Sequence, residues 1–170
     1  TELLRASRKP LVVVGGSRWS EQVRAHTEAF ASQWNLPVIT AFRCQDHFDN
    51  YHPNYAGELG ISCNPQLATR VKAADLLLVL GARLGEATTN GYTLVDIPIP
   101  RQTLIHAHSG AEELGRVYQG DLLINSAMAP LTQALASLPP PETVSWSDWT
   151  EAARDDYLMY LEPFPVSGDL

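Results

Sequence analysis

Residues 11–17 read Leu-Val-Val-Val-Gly-Gly-Ser, and residues 75–83 read Asp-Leu-Leu-Leu-Val-Leu-Gly-Ala-Arg. Neither apolar run alternates with polar residues, so neither has a face built for water. Strands buried on both faces belong to parallel sheets covered by helices on either side. Each run stops at glycine, where the chain can turn sharply out of the sheet.

Reading outward, Ser20 and Glu21 open a helical pattern with Val23, Thr27, Phe30, Ala31 and Trp34 along one stripe. Asn35 suits a left-handed stop, and Pro37 prevents continuation before the next strand, Val38–Thr40. Such a strand–helix–strand crossover is right-handed. The stretch from Ala41 to Cys63, rich in Asn, Asp, His and Gly, reads as a long structured connection with a short strand near Tyr55–Gly57. Asn64-Pro65 starts a helix with Leu67, Val71 and Ala74 on its apolar face. Further strands are expected at Thr103–Ala107 and Leu122–Ile124, then a helix presenting Met128, Leu131, Leu135 and Leu138. The alternation predicts a three-layer α/β/α fold with a doubly wound, mostly parallel, Rossmann-like sheet of about six strands. The run Pro139-Pro140-Pro141 closes this domain at residues 1–138. Residues 139–170 are expected to form a linker, with a helix over Ser147–Leu161 carrying Trp149, Ala153, Tyr157 and Tyr160 on one side. An extended tail, Pro163–Leu170, follows.

The net charge is −7, from 12 basic and 19 acidic residues, and no Lys/Arg cluster stands out. That excludes nucleic acid and an anionic membrane surface as expected partners. Cys44 and Cys63 form no CxxC pair, so neither a zinc site nor a disulfide framework is expected, and a reducing cytoplasm is the default location. No apolar run reaches the roughly 18 residues that cross a bilayer. Residues 1–10 lack the apolar core of a signal peptide and an initiator Met, and the chain is expected to be a fragment or a processed product.

In an open parallel sheet, ligands bind beyond the carboxyl ends of the strands, where strand order reverses. Gly15, Gly16 and Gly81 lie at two such ends. If these strands are neighbours, their glycines let the backbone approach a nucleotide phosphate, the helix after Ser17 adds amide donors, and Arg83 pairs with the phosphate. The plainer reading is that the glycines allow tight turns and Arg83 makes a surface salt bridge. Gly-Gly-Ser is not the GxGxxG fingerprint, and the residues alone leave both readings open. His106 and His108 share a strand face, the beginnings of a metal site, but no third ligand lies at a helpful spacing. Asp46, His47, Asp49 and His52 read first as turn and capping chemistry and only second as an acid–base cluster.

Taken together, VVVGG, LPVITAF, HPNYAGELG, AADLLLVLGARLG and TLIHAHSGAEELGR resemble the central domain of acetolactate synthase, glyoxylate carboligase, benzoylformate decarboxylase and their relatives. The likeness covers about Arg8 to Leu138. His52-Pro53 with Gly57 and Gly60 matches the family's HPxYxGxxG stretch, and Asp75–Arg83 matches its ADLLLxxGAR segment.

The resemblance implies a non-catalytic domain of an enzyme acting on 2-oxo acids. Thiamine diphosphate and Mg²⁺ sit in its N- and C-terminal catalytic domains, the implied partners, within a homo-oligomer. In the family this domain holds FAD or ADP. Here Ser17 stands where the synthases usually carry a third glycine, and Cys44-Gln45-Asp46 replaces a Gly-Lys-Gly. Leu84-Gly85-Glu86-Ala87 replaces Phe-Asp-Asp-Arg, and His108-Ser109-Gly110 replaces the acidic pair that holds the ribose. These departures imply weakened or lost FAD binding and leave ADP as the smaller ligand. Its implied contacts are Gly15, Gly16, Ser17, Gly81, Ala82, Arg83 and His108. A free-standing NAD-dependent deacylase on the same kind of fold is disfavoured, because its Gly-Ala-Gly motif and zinc cysteines are missing.

Overall fold

The computed structural model describes residues 1–163. Its centre is a six-stranded sheet in the order β3-β2-β1-β4-β5-β6, with every pairing parallel. The strands are β1 (Pro10–Val14), β2 (Val38–Thr40), β3 (Tyr55–Glu58), β4 (Leu76–Leu80), β5 (Thr103–His108) and β6 (Leu122–Asn125). From β1 the chain winds outward to β2 and β3, then returns to place β4 on the other side of β1. The switch point therefore lies between β1 and β4, the two runs that decide the fold. They pair in register from Pro10↔Leu76 to Val14↔Leu80.

The period of two sorts these strands between two cores. Leu11, Val13, Leu77 and Val79 face the helix α3 (Pro65–Ala73), where Leu67 and Val71 meet them. Val12, Val14, Leu76, Leu78 and Leu80 face the other way, against Phe30 and Trp34 of α2 (Glu21–Trp34) and Met128 of α4 (Met128–Ala136). Each such side chain contributes roughly 1.5–3 kcal/mol by leaving water.

The helix ends follow local chemistry. Ser20 Oγ accepts the Val23 amide at 3.3 Å to start α2, and Asn35 stops it at φ 49°. Asn64 Oδ1 accepts the Gln66 amide at 2.9 Å ahead of Pro65 in α3.

The aromatic residues of the C-terminal region, Trp146, Trp149 and Tyr157, all find partners within this domain. Trp146 is 2% exposed, and its indole N–H is shared between the carbonyls of Trp34 and Asn35, at 3.1 and 3.0 Å. Trp149 donates to the Pro10 carbonyl at 2.8 Å and lies under the Arg70 guanidinium, 4.5 Å from its ring centre. Tyr157 packs edge-on against Tyr55 with centroids 5.0 Å apart. The helix carrying Trp149 and Tyr157, α5 (Ser147–Leu161), is fastened to α3 by the Arg70–Asp156 ion pair. The physical reason is that β3 is an edge strand, and α5 covers it. Tyr160, expected on the covered side, is 44% exposed together with Leu158, Met159 and Leu161. The expected extended tail lies outside the described residues beyond Pro163. Among the described residues no helix is long and apolar enough to cross a membrane.

Candidate functional site at the carboxyl ends of the central strands

At the switch point the two glycine turns touch. Gly15 donates its amide to Leu80 O at 3.0 Å, and Gly81 donates to Ala107 O at 2.8 Å. Gly16 and Gly81 have φ of +86° and +74°, and a Cβ on Gly16 would lie 2.0 Å from Gly81 O. Close backbone packing thus requires glycine at both positions.

Above them, Trp19 donates its indole N–H to Gly15 O at 2.7 Å and stacks on His47, with centroids 4.8 Å apart. Ser17 is exposed, and α2 begins only at Glu21, with Ser20 already satisfying an end amide. Nearby, burial pushes the Cys44 thiol pKa up against a smaller lowering from the Gly16 amide.

The second part of the crevice lies beyond β4 and β5. A cavity of about 130 Å³ is lined by Arg83, Tyr92, His106, Glu113, Arg116 and Tyr118, among others. Gly15, Gly16, Ser17 and Gly81 are not in its walls. The Arg83 side chain thus shares this cavity with His106, while its neighbour Ala82 packs against Gly15.

Arg83 is ion-paired: its Nη2 donates to Glu113 Oε1 at 2.5 Å, and Arg116 Nη1 donates to the same oxygen at 2.9 Å. Glu113 is buried, at 7% exposure, while both arginine side chains are more than half exposed. Burial alone would raise the Glu113 pKa, but Arg83 and then Arg116 hold it below the ordinary carboxylate value. Among the described residues Oε2 accepts no hydrogen bond. Ala82 is fully buried, and its carbonyl receives His106 Nε2 at 2.9 Å, so that nitrogen carries the proton. Desolvation, more than any neighbour, lowers the His106 pKa.

His108 Nδ1 accepts the Gly110 amide at 3.0 Å and shapes the turn leaving β5. Its ring lies 6.2 Å from that of His106. Among the described residues no group of three or more His, Cys, Asp or Glu is placed to hold a metal ion with them. Glu113 and Arg116 are site residues that the sequence reading missed. The only linear signal was an acid three positions before a base in Gly-Ala-Glu-Glu-Leu-Gly-Arg, which ordinary helix-end charge also produces.

In the Asp46–His52 group, Asp49 and His52 bond to nearby backbone amides. Asp49 Oδ1 accepts the Tyr51 amide at 2.9 Å. His52 Nδ1 accepts the Asn54 amide at 3.1 Å, so its Nε2 donates to Ser32 Oγ at 2.9 Å. His47 lies flat under Trp19.

Comparison with known proteins agrees with this architecture. The family model for the thiamine pyrophosphate enzyme central domain matches residues 1–135. The acetolactate synthase large subunit of Cyanidium caldarium is 32% identical over 167 residues, covering 98% of this chain and 28% of that protein. The Corynebacterium glutamicum large subunit is 26% identical over 172 residues, covering 99% of this chain and 26% of its own. The chain thus spans about a quarter of the length of these curated relatives. The fold is shared with a thiamine diphosphate-dependent 4-hydroxybenzoylformate decarboxylase of Rhodococcus jostii RHA1. The TM-score is 0.60 at 23% identity, over 85% of this chain and 27% of that one. With its all-parallel sheet, its β1/β4 switch point and a family match over residues 1–135, this chain belongs to the central-domain family of thiamine pyrophosphate enzymes.

Proposed function

We propose that this chain is the non-catalytic central domain of a thiamine-diphosphate-dependent carboligase or decarboxylase acting on 2-oxo acids, and that it retains a nucleotide site. The observation that supports this most is the position of Arg83 and Arg116, two half-exposed guanidiniums beside a cavity at the carboxyl ends of β4 and β5. Guanidinium forks suit phosphate. The cavity is smaller than the roughly 300–1,000 Å³ of whole-ligand pockets, which favours a subsite for part of ADP over a seat for a flavin ring.

In this reading thiamine diphosphate and Mg²⁺ are held by N- and C-terminal catalytic domains of the same enzyme, which works as a cytoplasmic homo-oligomer. The central domain contributes architecture and a structural or regulatory nucleotide.

A thermal-shift titration with ADP, FAD, NAD and thiamine diphosphate–Mg²⁺ tests it. ADP alone, or ADP and FAD, should raise the melting temperature, equivalent to about 2.7 kcal/mol at a hundred times Kd. With pyruvate, thiamine diphosphate and Mg²⁺ the chain should release no CO₂. A shift with thiamine diphosphate, or CO₂ release from homogeneous protein, would overturn the assignment.

A further inference from the structure

We infer that the β6 edge of the sheet, with the uncharged outer surface of α4, is a self-association surface on which a second copy of this chain pairs antiparallel across a two-fold axis. The inference is independent of any nucleotide site.

The two edges of the sheet differ. At one, α5 packs on β3, where Tyr55 and Ala56 are 2% and 3% exposed. At the other, β6 has β5 as its only neighbour among the described residues, and Leu122 and Leu123 are 43% and 41% exposed. Successive strand residues point to opposite faces, so β6 is open on both. Alternate amides and carbonyls of an edge strand point away from the sheet and offer a template for another strand. Charges, prolines and bulges are the usual guards against such pairing. The sequence of β6, Leu-Leu-Ile-Asn, has no charge and no proline, and its register to β5 runs unbroken from Ile105↔Leu122 to His108↔Asn125. The charge just before it is turned toward β5, since Asp121 Oδ2 accepts the Leu104 amide at 2.8 Å.

The lack of charge extends past the strand. Residues 122–141 contain no Asp, Glu, Lys, Arg or His, the longest such run in a chain of net charge −7. It takes in the whole of α4, where Ala129, Pro130, Gln133 and Ala134 are exposed. Charge depletion distinguishes the core of an interface from ordinary surface.

The same property selects the occupant. Two copies of net charge −7 repel one another, and this surface lets them meet without opposing like charges. A two-fold axis perpendicular to the sheet presents the same strand from both copies, necessarily antiparallel, and keeps both α4 helices on one face of the joined sheet. With Leu123 opposite Ile124 of the second copy, Asp121 falls opposite Ser126 and the two Asp121 carboxylates lie at opposite ends of the contact.

Sedimentation velocity of the native chain from low micromolar to millimolar concentration tests the inference. A concentration-dependent dimer is expected. Leu122→Lys places a charge on the paired edge, and Ala129→Glu adds a carboxylate just beyond Ser126, toward Asp121 of the second copy. Each should weaken dimerisation at least about tenfold. Ile61→Lys, at an apolar residue 73% exposed elsewhere, should leave it unchanged. An acidic residue in the first turn of α4 suits the helix dipole, so Ala129→Glu decides the question even if Leu122→Lys fails to fold. A native chain that stays monomeric throughout would overturn the inference and leave the family assignment standing. A dimer that survives both added charges, or is lost equally in Ile61→Lys, would overturn it as well.

Discussion

A Cβ on Gly16 would stand 2.0 Å from the carbonyl oxygen of Gly81. The two turns that leave the central strands are therefore in backbone contact, and the switch point of the sheet is a packed junction. Beside it Trp19 donates its indole N–H to Gly15 O. The accessible polar groups lie one strand over, where Arg83 meets Glu113.

Gly16→Ala should be strongly destabilising. The left-handed φ alone costs about 1–2 kcal/mol, and overpacking typically adds about 1–3. Gly91→Ala is the control: its φ is +67°, but nothing lies within 4 Å of the added Cβ. Urea denaturation should show only the φ cost at Gly91. Equal losses at the two sites would mean that the Gly16–Gly81 contact does not limit the turn.

The sheet was legible in the sequence because its information is local. Leu11–Val14 and Leu76–Leu80 are apolar on both faces, and Ser20, Asn35 and Asn64 act on amides or dihedrals within a few residues. Arg83 was legible as a candidate by its place after a strand. Its partner was not, since Glu113 lies thirty positions away and is brought close only by β5 and a 3₁₀ turn. The same limit hid the docking of Trp146, whose acceptors are the carbonyls that end α2. Aromatic residues after a proline run look alike whether they cover their own domain or another.

Trp146 should act as the clasp between α2 and the C-terminal helix. Trp146→Ala is expected to cost about 3–5 kcal/mol, in the range of large aromatic truncations. Trp146→Phe keeps most of the apolar contact and removes the N–H, for a loss of about 1 kcal/mol. A chain ending at Leu138 should melt below the full chain. Unchanged melting of that truncation would show that α5 adds nothing to the stability of the sheet domain.

The Arg70–Asp156 pair should matter more than a surface ion pair. The Arg70 side chain is 10% exposed, while Asp156 is 31% exposed and stays partly screened by solvent. Asp156→Asn leaves a nearly buried guanidinium with weaker acceptors, and about 1–3 kcal/mol of stability should go with it. Arg70→Met keeps the stem against Trp149 and removes the charge, so it should cost less than Asp156→Asn. The opposite order in chemical denaturation would mean that the cation over the Trp149 ring outweighs the ion pair.

Alkaline stability should report Tyr55. Burial, above all, pushes its phenol up to about 12, partly opposed by the Thr40 hydroxyl 3.2 Å away. The folded state therefore holds this proton more tightly than the unfolded chain, where the phenol titrates near 10. That contribution is fully present below pH 10 and is lost as pH rises from 10 through 12. At about 1.36 kcal/mol per unit the loss is on the order of 2–3 kcal/mol. Tyr55→Phe cannot ionise: it should be about 1 kcal/mol less stable than the native chain at pH 8, then hold its stability better than the native chain above pH 10. Other tyrosines titrate in both proteins, so the difference between the two urea midpoints isolates Tyr55. Parallel midpoints from pH 8 to 12 would show that the buried phenol does not control unfolding in base.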